Sequence, residues 1–197
     1  MLEPSEPNDH GSPRQGKFAP LGPRPQHHRN LTTELDIPGA LTYTSDVETK
    51  IDIAAAIQHN YLLKGLTKEQ VGEIALLARA GTFEGGDTIL RQFAKDSDIM
   101  ILLEGKARVN TFSGELIAEA GPGSVIGEVS LIDDKPRSAT VVAVGHCVVA
   151  RIPSTELWTL LDREPEIAKV LLLNLGRILC ARLRAANVQL DLVVGKN

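Results

Sequence analysis

Ile99-Met100-Ile101-Leu102-Leu103-Glu104-Gly105-Lys106-Ala107-Arg108-Val109-Asn110-Thr111 decides what kind of chain this is. Two short runs of strand-forming residues, Ile99 to Leu103 and Ala107 to Thr111, flank a Gly105-Lys106 turn. The same rhythm continues on both sides. Thr88 to Leu90, Leu116 to Ala118, Ser124 to Ile126, Ala139 to Val144 and Cys147 to Ile152 are further β-prone runs. Gly85-Gly86-Asp87, Ser113-Gly114, Gly121-Pro122-Gly123 and Gly145-His146 punctuate them. Many short strands at close, even spacing predict an antiparallel sandwich or jelly roll. A parallel sheet would need helices between its strands, and there is no room for them.

Helical patterns lie on either side of this block. Asp46 through Gln58 has helical spacing in Val47, Ile51, Ala54 and Ala55, with Ser45 as N-cap. Thr67-Lys68-Glu69-Gln70 is a capping-box pattern, and Val71, Ile74, Leu76 and Leu77 follow as the apolar positions of its helix. After Pro153, Ser154 or Thr155 caps a helix containing Leu157, Trp158, Leu160 and Leu161. A longer helix runs from Glu164 or Pro165 to about Leu192. Leu172, Leu175, Leu179, Leu183, Ala186 and Leu190 form one apolar stripe along it, and Leu171 and Ile178 a second. One stripe can cover the sandwich and the other can meet a second copy, so a homodimer is expected. The fold class is therefore mainly β with helices (α+β), a jelly-roll sandwich flanked by N-terminal helices and a long C-terminal helix.

Residues 1–44 read differently. They are poor in large apolar side chains and hold Pro4, Pro7, Pro13, Pro20, Pro23, Pro25 and Pro38. Such a segment cannot bury enough surface to offset the cost of ordering, so a disordered leader is expected there and a folded domain over 45–195. The whole chain has 197 residues and a formal charge of −4, which argues against a general nucleic-acid binder. Cys147 and Cys180 sit in apolar runs and read as small core residues, not as a disulfide or a metal site. No apolar run is long enough for a membrane span and the N-terminus has no secretory core, so a cytoplasmic protein is expected.

The chemistry is carried by Ile126-Gly127-Glu128-Val129-Ser130-Leu131-Ile132-Asp133-Asp134-Lys135-Pro136-Arg137-Ser138-Ala139-Thr140. Gly127-Glu128 can begin a short helix whose first backbone N–H groups have no intrahelical partner, an arrangement that suits an anion. Arg137 offers a planar fork of donors that matches a phosphate. Glu128 would repel a phosphate, and it makes sense only if the ligand also brings hydroxyl donors, as a ribose does. Together the three describe a site for a sugar-phosphate.

This run closely resembles the phosphate-binding cassette of the cyclic nucleotide-binding domain family. The resemblance extends over roughly residues 60–190, with Gly86-Asp87, Gly105 and Gly121-Pro122-Gly123 where the family has its turn glycines. From Pro136 through the long helix it is similar to the sensor domains of catabolite-activator type. The resemblance implies an eight-stranded jelly roll with a short helix inside the cassette. It implies that Glu128 holds the ribose 2′-hydroxyl and that Gly127, Val129 and Ser130 meet phosphate and sugar through their backbones. Arg137 would pair with the exocyclic phosphate, and Ser138 would contact phosphate or base. Arg182 and Leu183 on the long helix would meet the base. The ligand implied is cAMP, with cGMP as the alternative, and no cofactor or metal.

Two departures stand out. Gln92-Phe93-Ala94 replaces a glycine-containing turn common in the family, and no aromatic cap over the base is visible. The sequence ends at Asn197 with no residues for a recognition helix, so no DNA-binding domain is expected. The histidines are scattered and no nucleophile–base set is evident, so catalysis is not expected either. The expectation is a cyclic-nucleotide receptor, a regulatory module that signals to an unidentified partner by moving its C-terminal helices. The rival is an interaction module that has kept the fold and lost the ligand.

Overall fold

A computed structural model describes residues 17–18 and 51–194 of the chain. The proposed cap at Ser45, the first helical residues after it and nearly all of the proline-rich leader lie outside the described residues. In chain order the elements are β1 (Lys17–Phe18), α1 (Ile53–Ile57), α2 (Lys68–Leu77), β2 (Arg79–Phe83), β3 (Thr88–Leu90), β4 (Ile99–Asn110), β5 (Leu116–Ala120) and β6 (Val125–Ile126). They are followed by α3 (Glu128–Asp133), β7 (Thr140–Ile152), α4 (Ser154–Arg163) and α5 (Pro165–Val194). Among the described residues the strands join in one antiparallel network ordered β1-β2-β7-β4-β5, with β3 on β7 and β6 on β4. The fold is a jelly-roll type of β structure with helices at one side.

The two long strands correct the expected strand count. Ile99–Leu103 and Ala107–Thr111 were expected as separate strands, but β4 runs through both, and β7 likewise joins the runs on either side of Gly145. The turn signal at Gly105 is real, but its effect is to bend a strand. The β4–β7 register shifts between Leu102 and Glu104 and again between Glu104 and Lys106. Gly105 has φ +83° there, and a Cβ on it would lie 2.2 Å from the His146 carbonyl oxygen. Only glycine fits where the two strands kink past each other. β2 was missed in the sequence, because Arg79-Ala80-Gly81-Thr82-Phe83 holds few β-branched residues and pairs along its length with β7.

Strand periodicity sorts the core into two layers. In β4, Ile99 and Ile101 join a cluster with Ile57, Leu62, Ile74, Leu157 and Leu171, while Met100 and Leu102 face Phe83, Ile126, Val141 and Val149 inside the sandwich. The Ile99–Leu103 run has no polar alternation because both faces of this part of the strand are covered. In β6 the neighbours Val125 and Ile126 divide in the same way.

The helices hold the cassette side of the sheet. Thr67 and Gln70 form the capping box that the sequence indicates. Val71 and Ile74 of α2 are buried, but Leu76 is 87% exposed, so it is not part of the core. α1 begins only at Ile53, capped by Asp52, whose side chain accepts from Ala55 N at 3.1 Å. In α5, Ile167, Leu171 and Leu175 are buried and Ile178 packs on them. Leu175 thus belongs with Leu171, not with the stripe that includes Leu183. Asn174 is buried among them and donates to the carbonyls of Leu62 and Lys64, both at 2.9 Å. Residues 181–191 of α5 are exposed throughout. Cys147 is buried as expected, whereas Cys180 is exposed.

Candidate functional site

β6 and α3 meet at Gly127, and that junction builds the site. β6 is clamped to β4 by Met100↔Ile126 and Ile101↔Val125, which fixes where α3 starts. Gly127 caps α3 at φ +89°, a conformation open to glycine at little cost. A Cβ on it would stand 2.6 Å from Arg137 Nη1 and 2.6 Å from the Asp98 carbonyl oxygen. The glycine therefore serves twice, once for the turn and once for the close approach of the arginine.

Arg137 is 2% exposed, an unusual degree of burial for a guanidinium. Its Nε donates to Asp96 Oδ1 at 3.0 Å, and Nη2 donates to the same oxygen. Nη2 also donates to the Asp98 carbonyl at 2.7 Å, and Nη1 to the Gly127 carbonyl at 3.1 Å. Four of the five N–H bonds of the fork are so engaged, which leaves one on Nη1 for a ligand. Asp96 and Asp98 were not foreseen as partners. They lie 41 and 39 residues away, in a loop whose sequence gives no sign of what it will face.

Glu128 is 1% exposed, and its carboxylate meets Arg182, which reaches across from α5. Arg182 also donates to the Val125 carbonyl at 2.5 Å. The buried carboxylate and the buried guanidinium of Arg137 are thus held apart, each with its own protein partner. Gly127, Glu128, Val129, Ser130, Arg137, Ser138 and Arg182 line one cavity, together with Leu90, Val109, Ile126, Ala139 and Val141. Leu183 does not line it: it is 62% exposed, one position past Arg182 on the uncovered part of α5. The sequence could not supply the apolar wall, since Leu90, Val109 and Val141 reach the cavity through strand pairing that no local pattern reveals.

The loop at Gln92-Phe93-Ala94 does the work of the missing glycine turn with Phe93 at φ +67°. Phe93 N donates to the Arg137 carbonyl and Arg137 N to the Ala94 carbonyl, both at 2.9 Å. The Gln92 side-chain nitrogen donates to the Ser138 carbonyl at 2.8 Å. The loop is laced to the segment that carries Arg137 and Ser138. Phe93 is 62% exposed and packs against Phe112, with ring centroids 5.7 Å apart.

The described residues include no group of His, Cys, Asp and Glu that could hold a metal ion, and no helix long and apolar enough to cross a membrane. A helix start, a buried arginine and a buried carboxylate surround one cavity, the grouping expected of a sugar-phosphate site, and residues 80–164 match the family model "Cyclic nucleotide-binding domain". The chain carries a cyclic nucleotide-binding domain. It is 31% identical over 136 residues to the "Cyclic AMP receptor protein" of Thermus thermophilus, covering 67% of this chain and 61% of that protein. It is 29% identical over 132 residues to "Glutaminase 2" of Bradyrhizobium diazoefficiens, covering 67% of this chain and 21% of that enzyme. The chain spans less than two thirds of the length of these curated relatives. A cyclic nucleotide-binding domain from Methylobacillus flagellatus superposes with a TM-score of 0.63 at 26% identity, over 74% of this chain and 82% of that one.

Proposed function

We propose that this chain is a non-catalytic receptor for cAMP that signals by repositioning α5. The observation that carries the reading is the pair of buried charges, Glu128 and Arg137, placed on one cavity but not against each other. A cyclic nucleotide offers each what it needs, a hydroxyl donor for the carboxylate and an oxyanion for the guanidinium. The likeness to a cyclic AMP receptor protein supports cAMP over cGMP as the ligand.

The cavity encloses about 50 Å³, against roughly 300–1,000 Å³ for ordinary small-molecule sites. A nucleotide therefore has to displace something, and Arg182 is the element that spans the opening from an otherwise uncovered stretch of α5. Displacing it breaks the bonds that tie this stretch of α5 to Glu128 and Val125. Leu172, Leu183 and Leu190 lie on one face of α5, are 38–62% exposed and offer a seam for a second copy, so the receptor acts as a homodimer. A downstream partner then reads the helix position as a population shift.

Calorimetric titration of the full chain with cAMP and with cGMP tests this. Saturable cAMP binding, tighter than cGMP by up to about tenfold, is the expected result, since one hydroxyl contact at Ser138 decides about 0.5–1.5 kcal/mol. A clear preference for cGMP reverses the choice of ligand. The second reading, a module that keeps the fold without the ligand, is favoured by the way Asp96 and Arg182 already satisfy Arg137 and Glu128 inside the protein. Absence of binding for both nucleotides selects it.

A further inference from the structure

Without β1, β2 would be the last strand on its side of the sheet. Its inner edge pairs with β7 along the whole run from Arg79 to Phe83. The outer edge has a fixed length. On the helix side Ala78 N donates to the Ala75 carbonyl at 3.1 Å, and past Phe83 the Glu84 N donates to Asp87 Oδ2 at 2.9 Å. Between these two bonds lie the five residues of β2, and that is the length of edge a further strand can use. An edge of this kind is a ready template for an extended segment.

Among the described residues it is met by β1, which comes from the proline-rich leader. The pairing is antiparallel, Lys17 with Thr82 and Phe18 with Gly81. Its register matches polarity: Gly81 is buried and Thr82 is exposed, and the leader brings an apolar residue to the first and a charged one to the second. A slip of one residue in either direction would set Lys17 opposite a buried position, Gly81 or Phe83, and lose the match. The added strand is also limited in length. Pro13 and Pro20 flank it in the sequence, and proline has no N–H to give to a ladder.

We propose that the outer edge of β2 is a strand-addition surface and that the chain's own leader, through Lys17–Phe18, is its resident ligand, docked in cis. The surface recognises an extended peptide by its main chain, and the side-chain requirement is an apolar residue opposite Gly81 and a polar one opposite Thr82. Residues 19–50 link the strand to the residues before α1. A segment of that length reaches at most about 100 Å when extended, well beyond the width of a single domain, so the leader can return to its own sheet. Being on the same chain, it meets the edge at an effective concentration that a separate peptide lacks, and pairing over two residues suffices. The proposal is independent of which nucleotide the cavity takes.

Disulfide trapping on the full chain tests it, in a Cys180→Ser background so that no exposed native thiol competes. Lys17→Cys is combined either with Thr82→Cys, its register partner, or with Glu119→Cys, an exposed position on β5 at the opposite end of the strand order. Opposed residues of an antiparallel pair lie about 4.5–5.5 Å apart at Cα, within the reach of a disulfide. The 17–82 pair is expected to oxidise within single chains at least about tenfold faster than the 17–119 pair, because docking raises the local thiol concentration. Equal rates for the two pairs overturn the proposal, as does the absence of a crosslink at either. A 17–82 crosslink formed only between chains overturns docking in cis in favour of a second copy's leader. A second measurement leaves the domain untouched. Lys17→Pro with Phe18→Pro removes whichever N–H the leader gives to β2. Hydrogen exchange read by mass spectrometry is then expected to quicken in Arg79–Phe83 while the β4–β5 pairing keeps its wild-type rate. This measurement decides the matter if the Thr82→Cys chain does not fold, and unchanged exchange across Arg79–Phe83 overturns the proposal.

Discussion

Arg137 and Gly127 are adjacent in space, and each constrains the other. Arg137→Leu removes the fixed counter-charge for a phosphate and strands the Gly127 and Asp98 carbonyls. Breaking a buried charge pair of this kind costs about 2–5 kcal/mol in binding, so calorimetry should show cAMP affinity reduced by at least thirtyfold with the fold intact by circular dichroism. An affinity within threefold of wild type removes Arg137 from the site. Gly127→Ala tests the same geometry from the other side. It forces a side chain into φ +89° and into contact with Arg137 Nη1, and strain of this type costs on the order of 1–3 kcal/mol. Weakened binding and a lowered melting temperature are both expected, whereas Gly114→Ala, which meets open space at the β4–β5 turn, should spare binding. These residues were the legible part of the site. Gly127, Glu128 and Arg137 announce themselves because their chemistry is unusual at their spacing. Asp96 and Asp98 do not, because an acidic residue before an apolar strand looks like any solvated turn until the fold brings it to Arg137.

α5 carries two faces with different tasks, and its substitutions separate them. Leu175 is fully buried with Leu171, so Leu175→Glu places an unpaired charge in the core and should unfold the domain. Leu183→Glu, on the exposed stretch, should leave the melting temperature nearly unchanged and abolish dimerisation. Sedimentation velocity at micromolar concentration reads both, and a monomeric wild type rules the seam out. The helical period in the sequence showed that α5 is long and has apolar stripes. It put Leu175 with Leu183, and the structure divides them because only the first part of the helix packs apolar side chains into the core. At the other end of the fold, the capping box of α2 was legible in full. Thr67→Ala should cost about 1 kcal/mol in chemical unfolding. The Glu69 carboxyl in the same turn is held below its ordinary value by hydrogen bonds from its own backbone N–H and the Thr67 hydroxyl. Its contribution is therefore present above the unfolded-state value and is lost as pH falls through the lowered one.

Polar bonds help to join the layers of the molecule, and Asn174 makes two that can be cut. Asn174→Ala strands the buried Leu62 carbonyl and the Lys64 carbonyl on which α5 is docked, at about 1–3 kcal/mol, read as a lower urea midpoint with an unchanged slope. By itself the sequence determined the flanking of a strand block by helices, the antiparallel class and the grouping of Gly127, Glu128 and Arg137 that one cavity gathers. Each of these rests on a local signal: a turn glycine, a period of two or 3.6, or a rare grouping of charged residues within fifteen positions. The tertiary structure alone decided that β4 and β7 are each one bent strand, because a glycine that ends a strand and one that kinks it read alike until the partner is in place. It alone decided that Arg137 is held by Asp96 and Asp98, that Glu128 meets Arg182, and that strands far apart in sequence supply the apolar wall of the cavity. The polar contacts among these join residues 39, 41 and 54 positions apart. Over such separations the chain carries no periodicity, and only the packing of one layer on another selects which side chains meet.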